Sequence, residues 1–189
     1  MQNTRIGSFF NSVSIWSTIL VPIVALLAFI PFAPLWVEGS KVLIGGFLIA
    51  AAACAYVLAS FFAKRFSLPH SHILLGTGIY ALTTLCATLF VKAGIVSLFG
   101  IGIEPWTITH IFAGLLFFLL VSVHARNPQV RKILTYVLLF GTSVSVLFQL
   151  LRILCANAIG TFSIFTDPVV NTLGRWSDLG IVTLLLILF

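Results

Sequence analysis

Apolar residues run in five long stretches without a charge, at about residues 12 to 32, 42 to 63, 73 to 91, 106 to 123 and 133 to 151. Each is close to the ~20 residues that carry an α-helix across a ~30 Å hydrocarbon layer. Strict two-residue alternation in short segments, the mark of a membrane barrel, is absent, and unpaired backbone cannot face lipid. The pattern therefore predicts an all-α, polytopic transmembrane bundle, with residues 1–189 as a single membrane domain. A sixth apolar run, 179–189, covers about half a span. A helix stopping there would leave its last carbonyls without partners inside the bilayer. The expectation is five complete spans plus a truncated sixth, as in the N-terminal part of a longer protein.

Composition strengthens this picture. Hydrophobic residues make up 60% of the chain and charged ones 7%, with a mean hydropathy of +1.20. A soluble chain of this make-up could not hide its apolar surface, so lipid is its solvent. The formal net charge is +6. In a soluble protein that would raise the question of nucleic acid. Here the charges stand in small groups at the ends of apolar runs, where Lys and Arg reach toward lipid headgroups, so membrane lipid is the expected partner and nucleic acid is not.

The charges also orient the chain. Glu38, Glu104, Asp167 and Asp178 all fall in alternate gaps, together with Lys41, Lys92, Arg152 and Arg175. The other gaps hold Arg5, Lys64, Arg65, Arg126, Arg131 and Lys132, and no carboxylate. The positive-inside rule then gives a multi-pass protein of the cell's inner (cytoplasmic) membrane, with a cytoplasmic N-terminus and with 152–178 on the outer face. Trp16, Trp36, Trp106 and Trp176 are expected mostly near span ends as interfacial anchors.

Few residues offer chemistry. Gln149 and Arg152 lie three apart on one helical face at the predicted outer end of span five. They could grip a phosphate, or Arg152 could reach for headgroups while Gln149 bonds a neighbouring helix. His110, one turn into span four, reads as an interhelical histidine with a catalytic base as the alternative. His70 and His72 share a loop without acidic or thiol companions, so no metal site is expected. Cys54, Cys86 and Cys155 read as small membrane-buried side chains. Soluble-enzyme signatures for nucleotides, zinc hydrolysis or serine catalysis are absent, and no cofactor is implied. Spans one to four show little at mid-depth beyond Ser, Thr and Gly, which argues against a channel or carrier.

The most distinctive stretch is CANAIGTFSIFTDPVVNTLGRWSDLGI, punctuated by Gly160, Pro168, Gly174 and Gly180 as a loop or re-entrant turn. Within it NTLGRWSDLG resembles the GTFGNPNxLA-like turn of bacterial O-antigen ligase and polymerase-type membrane proteins. Thr172, Gly174 and Leu179 match in register, Leu173 replaces the aromatic, and Gly180 stands for the small last residue. Relatives of this type with an NTxGxxxxLG turn are closer still, which marks Asn171, Thr172, Gly174, Asp178, Leu179 and Gly180 as the motif. The similarity extends to the general layout from about residue 73 onward.

This resemblance implies glycosyltransferase chemistry in polysaccharide biosynthesis. A glycan would pass, without a metal, from a polyprenyl diphosphate carrier to an acceptor on the outer face. By position the carrier diphosphate would meet Arg152 and Arg175, with Lys92 a weaker third. The outer loop and histidine essential to such enzymes are missing from 1–189, so the chain is expected to be a fragment, inactive alone. The alternative is a non-enzymatic scaffold or transporter subunit in which the polar residues serve helix packing.

Overall fold

The computed structural model describes residues 2–27, 37–64, 72–90, 108–154, 170–171 and 174–175. Among these, five helices account for nearly all of the structure: α1 (Gln2–Leu27), α2 (Val37–Ala63), α3 (His72–Phe90), α4 (Ile108–His124) and α5 (Pro128–Leu154). The elements among the described residues are helical apart from a two-residue antiparallel ladder of β1 (Val170–Asn171) with β2 (Gly174–Arg175). Three helices contain stretches long and apolar enough to cross a membrane: Arg5–Leu27, Lys41–Ala63 and Pro128–Leu151. The apolar stretches of α3 and α4, Leu75–Ala87 and Thr109–His124, are shorter. Span one differs from expectation, since α1 begins at Gln2 rather than near residue 12. Its polar first turns stay helical because they pack on α2: Phe10 stacks on Phe62 with ring centroids 5.9 Å apart. The partial sixth run lies outside the described residues.

The described helices turn large apolar side chains outward. Phe9, Trp16, Phe47, Phe61, Leu75, Phe90, Tyr136 and Phe140 are all more than half exposed, an arrangement water would penalise and lipid tails accept. The outward hydroxyls obey the same rule. Thr83 and Thr84 bond the carbonyl of Tyr80, Ser143 that of Leu139, and Thr135 that of Arg131, so each is satisfied within its own helix. Trp16, 60% exposed, sits near the middle of α1 rather than at an end, because α1 starts earlier than the apolar pattern implied. The other three tryptophans lie outside the described residues. Cys54 and Cys86 are free thiols on the exposed, lipid-like surface rather than packed inside the bundle.

α1 is the hub, packing on α2, α4 and α5, while α4 also packs on α2 and α3. Helices α1 and α2 run antiparallel along their length, with Gly7 beside Phe62, Ser14 bonded to Ala52, and Lys41 Nζ donating to the Ala25 carbonyl at 2.7 Å. The contact uses small residues: Ala52, Ala55 and Ala59 are all buried, which lets two backbones approach closely. The lysine bond satisfies one of the carbonyls that the end of α1 leaves open. Helix α1 continues through Pro22.

Helix α5 runs parallel to α1. Ile19 packs with Val130 and Leu134 near one end, and Leu26 meets Gly141 and Ser145 near the other. A Cβ at Gly141 would stand 2.7 Å from Leu26 Cδ1, so a side chain there fits only if the end of Leu26 moves aside. A second apolar cluster, Ala52, Tyr56 and Leu120, joins α2 to α4.

Candidate functional site

Among the described residues six polar side chains are buried: Ser14, Thr18, His124, Thr142, Ser145 and Gln149. They fall into two groups, one toward each end.

The first group lies where the N-terminus of α1, the C-termini of α2 and α4, and the start of α5 converge. His124 occupies the last turn of α4, and the chain reverses into α5 through Ala125, Arg126 and Asn127. The reversal is built locally. Asn127 caps α5 by accepting the Gln129 N–H on Oδ1 at 3.0 Å, and Pro128 follows at the first helical position, where its missing N–H costs nothing. This turn delivers the His124 ring, 5% exposed, into the α1–α2 seam.

There Ser14 Oγ lies 2.9 Å from His124 Nε2 and 2.9 Å from the Ala52 carbonyl oxygen. The serine hydroxyl has one hydrogen, and two oxygens cannot sit at that distance without one between them. Ser14 therefore donates to Ala52, and His124 Nε2–H donates to Ser14. The ring is held in its Nε2–H form, with Nδ1 left as an acceptor. Tyr56 meets the same ring edge-on, centroids 6.0 Å apart at 89°, and Thr18 Oγ1 bonds back to the Ser14 carbonyl at 2.8 Å. One hydroxyl thus ties three helices together.

Directly outside this junction is a cavity of about 680 Å³, open to the surface. Of its lining, Ile15, Tyr56, Ala59, Val123 and His124 are buried or half-buried, whereas Ser8, Asn11, Arg126 and Asn127 are exposed. Arg5, Lys64, Arg126, Arg131 and Lys132 are all exposed at this end. The one acidic residue within the described helices, Glu38, belongs to the first turn of α2, at the opposite end of that helix.

The second group is on α5 toward its C-terminus. Ser145 Oγ reaches both the Leu26 carbonyl (3.1 Å) and its own Gly141 carbonyl (3.0 Å). Thr142 Oγ1 and Gln149 Oε1 are buried and have no hydrogen-bond partner among the described residues. An unmet amide in an apolar interior is costly, by about 1–3 kcal/mol, and its persistence marks a place where something polar can bind.

Of the residues singled out in the sequence, Arg152 lies in the last turn of α5, one turn beyond Gln149. Arg175 is in β2, its backbone paired with Val170, while Asn171 pairs with Gly174 across two intervening residues. The side chains of Arg152, Asn171 and Arg175, and all of Lys92, Thr172, Asp178, Leu179 and Gly180, lie outside the described residues. So do His70 and the side chain of His72. His110 is half-buried in the first turn of α4, far along that helix from His124. No group of three His, Cys, Asp or Glu side chains that could hold a metal occurs among the described residues.

Sequence reasoning missed His124 and Ser14. A signal was present, since Gly7, Asn11, Ser14 and Thr18 recur at three- and four-residue spacing along one face of α1. Small and polar residues so placed mark a face meant for another helix. Comparison with family models, with curated proteins and with solved structures returned no match.

Proposed function

We propose that this chain is a multi-span protein of the inner (cytoplasmic) membrane, its N-terminus in the cytosol, that engages a polyprenyl diphosphate-linked glycan at the outer face, as O-antigen ligase and polymerase-type proteins do. In this reading all five helices cross the bilayer and a sixth begins in 179–189. The observation that carries it is Gln149: a buried amide oxygen without a partner among the described residues, one turn before Arg152, at the end of α5 away from the basic cluster. A lipid diphosphate keeps its tail in the bilayer and its charge at the interface, so its receptor needs guanidinium groups at that depth. Arg152 and Arg175 supply them, Lys92 adds a third cation, and the open amide oxygen can accept a hydrogen bond from a sugar hydroxyl. The same cations would stabilise charge on the departing diphosphate during transfer.

The test is binding of farnesyl diphosphate, a short carrier analogue, to the purified chain in detergent. Replacing Arg152 and Arg175 together with Gln should weaken binding by about a hundredfold, as loss of two charge-assisted contacts does. Binding that is absent, or unchanged in the double variant, removes this reading.

A second reading, a non-enzymatic scaffold or transporter subunit, draws on the Ser14–His124–Ala52 junction. Its bonds are internal, and they lock helices together rather than face a substrate. Under it the same double variant inserts and assembles as before and binds no diphosphate in either form.

A further inference from the structure

The cavity beside His124 is at the opposite end from Arg152 and is not used by the proposal above. We propose that it is a binding site for a phosphate group presented by an anionic phospholipid of the leaflet facing the basic end.

Several features converge. The cavity, at about 680 Å³, falls in the ~300–1,000 Å³ range of sites that enclose small ligands. Its wall changes character with exposure, from the buried or half-buried Ile15, Ala59 and Val123 to the exposed Ser8, Asn11, Arg126 and Asn127. That gradient suits a molecule that is both apolar and charged. Its floor is fixed by the Ser14–His124 bond, so it is a formed feature of the bundle rather than a gap between loose helices.

The electrostatics have one sign. Arg126 lines the cavity, Arg5, Lys64, Arg131 and Lys132 stand exposed at the same end, and the one acidic residue of the described helices, Glu38, is in the first turn of α2 at the other end of that helix. The start of α5, whose first turn carries no acidic residue, adds the positive end of a 27-residue helix. Basic pockets between membrane helices hold anionic headgroups by this combination. Depth decides between lipid and soluble phosphate. Gly7, Ser8 and Asn11 lie in the first two turns of the apolar stretch of α1 that begins at Arg5, and Ile15 lies one turn further, toward its middle, so the cavity reaches from the end of that stretch into its apolar part, which has no use for a free ion.

Native mass spectrometry of the whole chain released from detergent tests this, with phosphatidylglycerol, phosphatidylcholine and inorganic phosphate as separate additions. The wild type should retain phosphatidylglycerol in preference to phosphatidylcholine, and inorganic phosphate should not displace it. Arg126→Gln should reduce retention about tenfold, as loss of one charge-assisted contact does. Arg131→Gln removes the same charge at the same end without touching the cavity and should change it by less than about twofold. Ser60→Leu fills the cavity without altering charge and should also exclude the lipid, which guards against a folding defect particular to the Arg126 variant. Equal effects of the two arginine variants would reduce the site to diffuse attraction and overturn the proposal. So would retention unaffected by Ser60→Leu, absence of preference for the anionic lipid, or displacement by inorganic phosphate alone.

Discussion

Ser14 on α1 and His124 at the end of α4, 110 positions apart in sequence, meet through a 2.9 Å hydrogen bond in which the ring Nε2–H donates to the hydroxyl. Because Ser14 passes its own proton to the Ala52 carbonyl, one hydroxyl couples three helices. Ser14→Ala should cost about 1–3 kcal/mol, since it leaves a buried ring N–H with no acceptor. Thermal unfolding in detergent micelles measures the loss. His124→Leu removes the orphan, so the double variant should lose less than the two single losses added.

The direction of that bond can be read independently. In ¹⁵N spectra of histidine-labelled protein, His124 should show a protonated Nε2 and a bare Nδ1. The opposite tautomer would mean that Ser14 donates to the ring and leaves Ala52 to its own helix.

Leu26 and Gly141 set the spacing of α1 and α5. A side chain at position 141 must displace Leu26, which is buried at 4% exposure. Gly141→Leu should destabilise the bundle by about 1–3 kcal/mol, the usual cost of overpacking. Gly141→Ala should cost less, because the blocking atom is the far end of a leucine and alanine favours helix by up to ~1 kcal/mol over glycine.

Lys64 closes α2 with φ at 50°, a left-handed conformation that side chains resist and glycine adopts freely. Lys64→Gly should therefore stabilise the protein by about 1 kcal/mol. Unfolding in the same micelles gives the sign, and a loss of stability would show that the lysine side chain contributes more than its backbone costs.

The helices were legible because continuous apolar composition needs no knowledge of partners. The runs at 42 to 63, 73 to 91 and 106 to 123 match α2, α3 and α4 to within a few residues at each end. The start of α1 was not legible in this way. Residues 2 to 11 are too polar for a charge-free span and become helical by packing on α2, as the stacking of Phe10 on Phe62 shows. The site at the basic end was hidden for a related reason. His124 closes an apolar run and abuts Arg126 and Asn127, so its neighbourhood reads as a charged turn, and nothing local indicates that its ring will meet Ser14. Gln149 was visible as a polar residue on the face of Arg152, yet only the structure shows that its amide oxygen is buried and has no partner among the described residues.

The account as a whole rests on a bundle that crosses the bilayer with its basic end in the cytosol. Cysteine accessibility tests this most directly, in a background with Cys54, Cys86 and Cys155 replaced by Ser and single cysteines introduced at Asn127 and Asn171. A membrane-impermeant maleimide applied to intact spheroplasts should label Asn171→Cys at once and Asn127→Cys only after permeabilisation. Labelling of Asn127→Cys in intact spheroplasts, or equal access at both positions, would contradict it.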